Sequence, residues 1–252
     1  MTKIISVANQ KGGVGKTTTA INLATAMAAI HKKVLLVDAD PQGNASTGLG
    51  INEEQRNPSL YELLTKQKFD NKAIKKTSIP GLDILTSTLD LAASEIELAE
   101  MNDRENILKK ILQEIESYDF LFIDCPPALG LLTINSLVAS DSVIVPLQCE
   151  YFALEGLSAL NNTIETIKSG LNPSLKIEGV VLTMFDKRNS LSSLIEKDVR
   201  SYFKDSVFDT VIPRNVRISE APSHGKPVLV YDTMCVGSQA YIGLAKEVIL
   251  NQ

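Results

Sequence analysis

The octapeptide Lys-Gly-Gly-Val-Gly-Lys-Thr-Thr at 11–18 sets the tightest limit on how this chain folds. It joins "KIISVA" (3–8), a short β-rich run, to "TTTAINLATAMAAIHK" (17–32), an Ala-rich segment of helical period. Gly12, Gly13 and Gly15 let the backbone curl so that its N–H groups surround phosphate oxygens, and the following helix adds its positive N-terminus. Lys16 stands where a lysine reaches β- and γ-phosphates, and Thr17 where a hydroxyl holds Mg2+. The usual pattern G-x-x-x-x-G-K-[ST] is broken, because Gln10 occupies its first position. A second lysine, Lys11, has no use in a loop that serves one nucleotide alone.

The remaining sequence alternates strand and helix. "KVLLVDAD" (33–40), 82–87, 118–127, 142–148, 176–185 and 207–213 read as strands, the last closing the core sheet. Short or amphipathic helices are expected near 59–66, 104–117, 131–140, 153–170, 191–203 and 237–250, and residues 41–58 as a long loop. Uninterrupted Val/Ile/Leu runs between helices predict an α/β fold, a mostly parallel, twisted sheet with helices on both faces, and the loop at 11–18 makes it of P-loop NTPase type. Neither a linker nor a repeat divides 1–252, so one domain is expected.

A magnesium nucleotide site also needs a carboxylate at a nearby strand end. "FLFID" supplies Asp124, and "VDADPQGN" supplies Asp38 and Asp40, directed alike along the pleat. One of that pair suits the metal shell or a lysine, and the other suits the attacking water; a turn cap at Asp40 is the plainer alternative. The net charge of −5 argues against a surface that coats nucleic acid all over, but leaves room for a local basic patch. Residues 186–226 carry eight basic and six acidic side chains, net +2 against −7 for the rest. Cys125, Cys149 and Cys235 show no CxxC spacing and read as small buried hydrophobes. The chain has no secretory leader pattern and no apolar run near the roughly 20 residues of a membrane span, so a cytoplasmic protein is expected.

"NQKGGVGKTTTAINLA", "DADPQGNAS", "DCPPALGLLTINSL", "PLQCEYFALEGL", "VVLTMFDKRNSLS" and "VIPRNVRISEAPSHGKPV" resemble the deviant Walker A ATPases of the ParA/MinD superfamily, most closely the short chromosomal ParA, or Soj, branch. That resemblance implies an ATPase of slow intrinsic turnover, using ATP and Mg2+ in a sandwich homodimer. Lys11 then crosses to the partner's phosphates, and Gly12 lies where the two chains come closest. Residues Lys11, Gly12, Gly13, Val14, Gly15, Lys16, Thr17 and Thr18 hold the nucleotide, with Pro213 and Asn215 at the base. Lys11, Lys16 and Asp40 carry catalysis, while Thr17, Asp40 and Asp124 hold the metal. Arg188 and Arg217 match positions that bind the backbone of double-stranded DNA without sequence preference, which implies nucleoid association. The implied stimulating partner is a ParB-like centromere-binding protein, and the implied cargo a chromosome or plasmid. An N-terminal helix-turn-helix extension is not expected, because the chain starts just before its first strand.

Four rival readings compete with this one. A cluster of proteins is an alternative ParA cargo. A MinD-like membrane ATPase needs a basic amphipathic end, whereas "YIGLAKEVILNQ" has one lysine and one glutamate. An iron–sulfur reductase would need a bridging cysteine pair, for which only Cys125 and Cys149 offer themselves. A ligase of the dethiobiotin or cobyrinate type has no reason for "SEAPSHGKP".

Overall fold

The computed structural model describes residues 2–150 and 153–251, without the side chains of 153–155. In chain order the elements are β1 (Lys3–Val7), α1 (Lys16–Ala29), β2 (Val34–Asp38), α2 (Asn44–Gly48), α3 (Leu60–Lys66), β3 (Ile74–Lys76), β4 (Leu82–Leu85), α4 (Leu91–Ala99), α5 (Ile107–Gln113) and β5 (Phe120–Asp124). Then follow α6 (Leu131–Ala139), β6 (Ser142–Gln148), α7 (Ala153–Gly170), β7 (Lys176–Thr183), α8 (Ser190–Phe203), α9 (Val216–Glu220), α10 (Val228–Tyr231) and α11 (Val236–Leu250). The strands form one sheet in the order β3-β4-β2-β5-β1-β6-β7, parallel except for the β3–β4 edge pair.

Alternate residues of each central strand feed two separate cores. Leu35, Val37, Leu121 and Ile123 pack on one face with α3, α5, α6 and α7. Leu36, Phe122, Ile5 and Val7 pack on the other with α1 and α11. Both faces are covered, which explains why the strands are apolar throughout rather than alternating with polar residues.

The sheet register fixes the site. Val7 and Asp38 both stand beside Asp124, because β5 lies between β1 and β2. From β1 the chain turns to β2 on one side, and from β5 it crosses β1 to reach β6 on the other. Open α/β sheets bind ligands beyond the carboxyl ends of strands at such a parting.

Several elements differ from expectation. The loop at 41–58 contains α2 and a single 3-10 turn at Glu53–Gln55. The helix expected over 104–117 is α5 alone, preceded by a 3-10 turn at Arg104–Asn106 and ended before Ser117 at φ 77°. Two elements without a clear periodic signal, β3 and α4, are also present. Cys125 and Cys149 are buried, but Cys235 is half-exposed and caps α11, its sulfur accepting from the Ser238 N–H.

The segment 207–213 is not a sheet strand. It meets β7 and the residues after it through isolated bridges at Val180–Val207 and Phe185–Pro213, with the Ile212 N–H also donating to the Leu182 carbonyl at 2.8 Å. Between them, the N–H groups of Asp209 and Thr210 donate to the Glu247 carboxylate of α11, at 2.7 and 2.8 Å, so the chain peels away from the sheet edge. Truncation by Glu247→Ala removes both bonds. A stability loss of about 1–2 kcal/mol is expected, with faster amide exchange at Asp209 and Thr210 by deuterium-exchange mass spectrometry and little change in β1 or β5.

Candidate functional site

The phosphate-type loop is stapled at its root. Buried Asn9 donates through Nδ2 to the Pro146 carbonyl of β6 at 2.7 Å, and its Oδ1 accepts from the Lys11 N–H at 3.0 Å. One carboxamide therefore fixes the loop to a neighbouring strand and turns it. Gly13 and Gly15 then take φ of 74° and 87°, the left-handed region that favours glycine. Gly15 also caps α1, whose first turn holds no acidic residue to compete for its N-terminal charge. The N–H groups of Gly13, Val14 and Gly15 find no acceptor among the described residues, so the loop presents donors to an incoming anion. Buried Val14 anchors the far side, its carbonyl accepting from the Thr183 hydroxyl at 2.8 Å.

Lys16, the first residue of α1, is buried, with its ammonium folded back onto the Lys11 carbonyl at 3.1 Å. Burial lowers its pKa, and the charges of Asp124, Cys125 and Asp40 oppose that shift. Lys11 points elsewhere: its half-exposed ammonium pairs with Glu150, beyond the end of β6. An added Cβ on exposed Gly12 would meet nothing within 4 Å, so packing within the chain does not demand a glycine there.

Opposite the loop lie the carboxylates. Asp124 is fully buried, and neither of its oxygens makes a hydrogen bond. Burial, then the charge of Asp38, raise its pKa well above the usual carboxylate range, while the nearby Thr17 hydroxyl and Lys16 pull it down. Asp38 accepts from the Ser46 N–H and hydroxyl on one oxygen, at 2.8 and 2.7 Å, and leaves the other unpartnered. Burial lifts it from 3.8 to about 6. Asp40 is almost buried, with one oxygen accepting from the Gln42 N–H at 3.0 Å. Three orphaned, buried carboxylate oxygens beside Thr17 and Lys16 make a hard-oxygen corner that fits Mg2+, which prefers such ligands.

This corner makes the ligand-free fold sensitive to pH. A carboxyl with a raised native pKa is bound to its proton more tightly when folded, so stability falls as pH rises from about 4 to about 6. At pH 7 Asp38 therefore costs on the order of 3 kcal/mol. In metal-free buffer Asp38→Asn should raise the thermal midpoint at pH 7 and lose most of that advantage near pH 4. An equal gain at both values would contradict the assignment.

Pro213 and Asn215 line a cavity of about 260 Å3 with Gly15, Thr18, Thr183, Met184 and Tyr241, adjoining the loop. Asn215 Oδ1 caps α9 by accepting from the Arg217 N–H, which leaves its amide nitrogen for a ligand. Arg188 and Arg217 are exposed on separate elements, and both are already paired. Arg188 makes a two-pronged contact with Asp186, and Arg217 pairs with Glu220 and Asp232. Gly50, just beyond α2, packs backbone to backbone on Gly225 near α9, where a Cβ on Gly225 would come within 2.9 Å of Gly50 Cα.

Lys16 of the loop thus lies near Asp124 and Asp40, and Gly15 and Thr18 share a cavity with residues 213–215, whereas the two arginines share no ion-pair partner among the described residues. Sequence reasoning missed Asn9 and Glu150, and gave Asp38 no settled role beside Asp40. Asp38 had a signal, its place at a strand end opposite another; Asn9 and Glu150 had none, since their partners lie 137 and 139 residues away.

A family model described as an AAA domain matches residues 2–177. The chain is 57% identical to the chromosome partitioning protein ParA of Caulobacter vibrioides, over 98% of this chain and 94% of that one. It is 53% identical to the sporulation initiation inhibitor protein Soj of Bacillus subtilis, over the full length of both. Among solved structures it is similar to cobyrinic acid a,c-diamide synthase of Mycobacterium smegmatis with bound ADP and magnesium, at 35% identity and TM-score 0.85 over 98% of this chain and 93% of that one. It is also similar to the septum site-determining protein MinD of Pyrococcus horikoshii with Mg-ADP, at 29% identity and TM-score 0.83 over 98% and 96%. The identity to the partition proteins exceeds that to the synthase. The chain belongs to the ParA/Soj family of chromosome-partitioning ATPases.

Proposed function

We propose that the protein is an ATP-driven dimer switch that binds DNA in its ATP state and lets go after hydrolysis, so moving a chromosome or plasmid. The observation that carries this reading is Lys11. Lys16 lies inside the loop, so a second, partly exposed ammonium at the rim, next to an open Gly12, supports a role towards a phosphate on another subunit. The reading treats 1–252 as one ATPase domain of slow intrinsic turnover.

In this mechanism the N–H groups of residues 13–15 and the start of α1 grip the phosphates, and Lys16 leaves the Lys11 carbonyl to join them. Pro213 and Asn215 border the base, with Thr18 at the cavity wall. Mg2+ held by Thr17 and Asp124, with Asp40 or Asp38 completing its shell, would neutralise charge on the terminal phosphates. Asp40 uses one oxygen on its own turn and offers the other to the attacking water. Lys11 and Lys16 stabilise charge that builds on the transferred group. Two chains closing face to face present Arg188 and Arg217 from each side. DNA phosphates must displace Asp186, Glu220 and Asp232, which favours weak, salt-steep and sequence-independent binding. A ParB-like centromere-bound protein is the proposed stimulator of hydrolysis.

The deciding test is binding of a fluorescent random-sequence duplex with ATP, with ADP and without nucleotide, over a salt series. Binding only with ATP is expected, with a log–log salt slope up to about −4 for four arginine contacts. Arg217→Glu should keep the ATP dimer and lower both affinity and slope; unchanged DNA binding at moderate salt would misplace the patch. Asp40→Ala should still bind ATP and DNA but accumulate as the dimer, with turnover lowered at least about 100-fold, and ordinary turnover would refute its role.

A further inference from the structure

The partner of Lys11 is unexpected for a residue meant to serve another subunit. Its ammonium is already engaged inside its own chain by the Glu150 carboxylate, which lies two residues beyond β6. Both side chains remain partly exposed, at 38% and 46%. Two fixed points aim them at each other. Asn9 ties the Lys11 backbone to β6 through the Pro146 carbonyl, and the Glu150 N–H donates to the Gln148 carbonyl at 2.9 Å, curling the end of the same strand back towards the loop. The loop does not need this pair for its own shape, since Asn9, Val14 and the two left-handed glycines already set it.

An ammonium held by a carboxylate is unavailable to a phosphate elsewhere until the pair opens. We propose that Glu150 is a positioning residue that restrains Lys11 on its own subunit and so sets the ATP and protein concentrations at which two chains close. This rests on the reading that Lys11 crosses the interface. A half-exposed pair of this kind is a weak restraint, worth a factor of about 1.4–5. Two such pairs open when a symmetric dimer closes, so the factors multiply to about 2–25 in the dimer constant. The restraint is strong enough to tune closure and too weak to forbid it. It also gives the site a resting partner of the same charge sign as the phosphate that replaces it, so Lys11 is never left without a counter-charge.

The test uses the full chain as wild type, Glu150→Gln and Glu150→Asp, with two readouts. The first is the acylation rate of Lys11 by N-hydroxysuccinimidyl acetate in the nucleotide-free protein, mapped by mass spectrometry. The second is self-association with Mg2+ and a non-hydrolysable ATP analogue, by sedimentation velocity at about 0.05 and about 0.5 M salt. Glu150→Gln is expected to speed Lys11 acylation severalfold and to tighten the dimer about 2- to 25-fold at low salt, with the gap shrinking at high salt because ion pairs are screened. Glu150→Asp keeps the charge and should lie nearer wild type in both. Unchanged acylation in Glu150→Gln would overturn the pairing, and faster acylation with an unchanged dimer constant would overturn the restraint while leaving the dimer reading intact. A wild type that stays monomeric with the analogue at every concentration would instead overturn the dimer reading, and the restraint with it.

Discussion

Two carboxyl groups buried side by side repel, and this sheet holds Asp38 and Asp124 next to each other by backbone register. Neither turns to water, for both are fully buried at their strand ends. The rest of the site answers that strain. Ser46 spends two hydrogen bonds on one Asp38 oxygen and so draws α2 against β2. Lys16 brings a buried positive charge towards Asp124. Three oxygens remain unmatched, and a divalent cation is the simplest species that satisfies them together.

The loop is organised by a different device. Asn9 occupies the last position before the curl and uses both ends of its carboxamide, one on β6 and one on Lys11. This arrangement leaves the N–H groups of the glycine turn free of internal acceptors among the described residues and keeps them convergent. The two lysines consequently carry their ammonium groups to different places. Lys16 is withdrawn beneath the loop, whereas Lys11 sits at the rim with a replaceable carboxylate.

Local chemistry made much of this readable in the residues. "KGGVGKTT" between a strand-like and a helix-like run, "FLFID" and "VDAD" were enough to place the loop and its carboxylates at neighbouring strand ends. The Val/Ile/Leu runs of β1, β2, β5 and β6 announced a sheet buried on both faces. What stayed hidden depends on distant partners. Residues 207–213 have the composition of a strand, yet Glu247, far along the chain, takes the N–H groups of Asp209 and Thr210 and interrupts the pairing with β7. The β3 edge strand is only three residues long, and α2 is a single turn fastened by Asp38, so neither carries a period to detect. Glu150 is an ordinary loop acid until the fold sets it against Lys11.

The contact between Gly50 and Gly225 has a consequence for how this surface can vary. Gly50 ends the segment that hangs from Asp38 through Ser46, and Gly225 ends the turn that follows the Arg217 helix. Main chain rests on main chain there, with no side chain between to act as a shim. The distance from the carboxylate corner to the arginine-bearing helix is therefore a fixed dimension of the backbone, and a substitution on one side cannot be absorbed by repacking on the other.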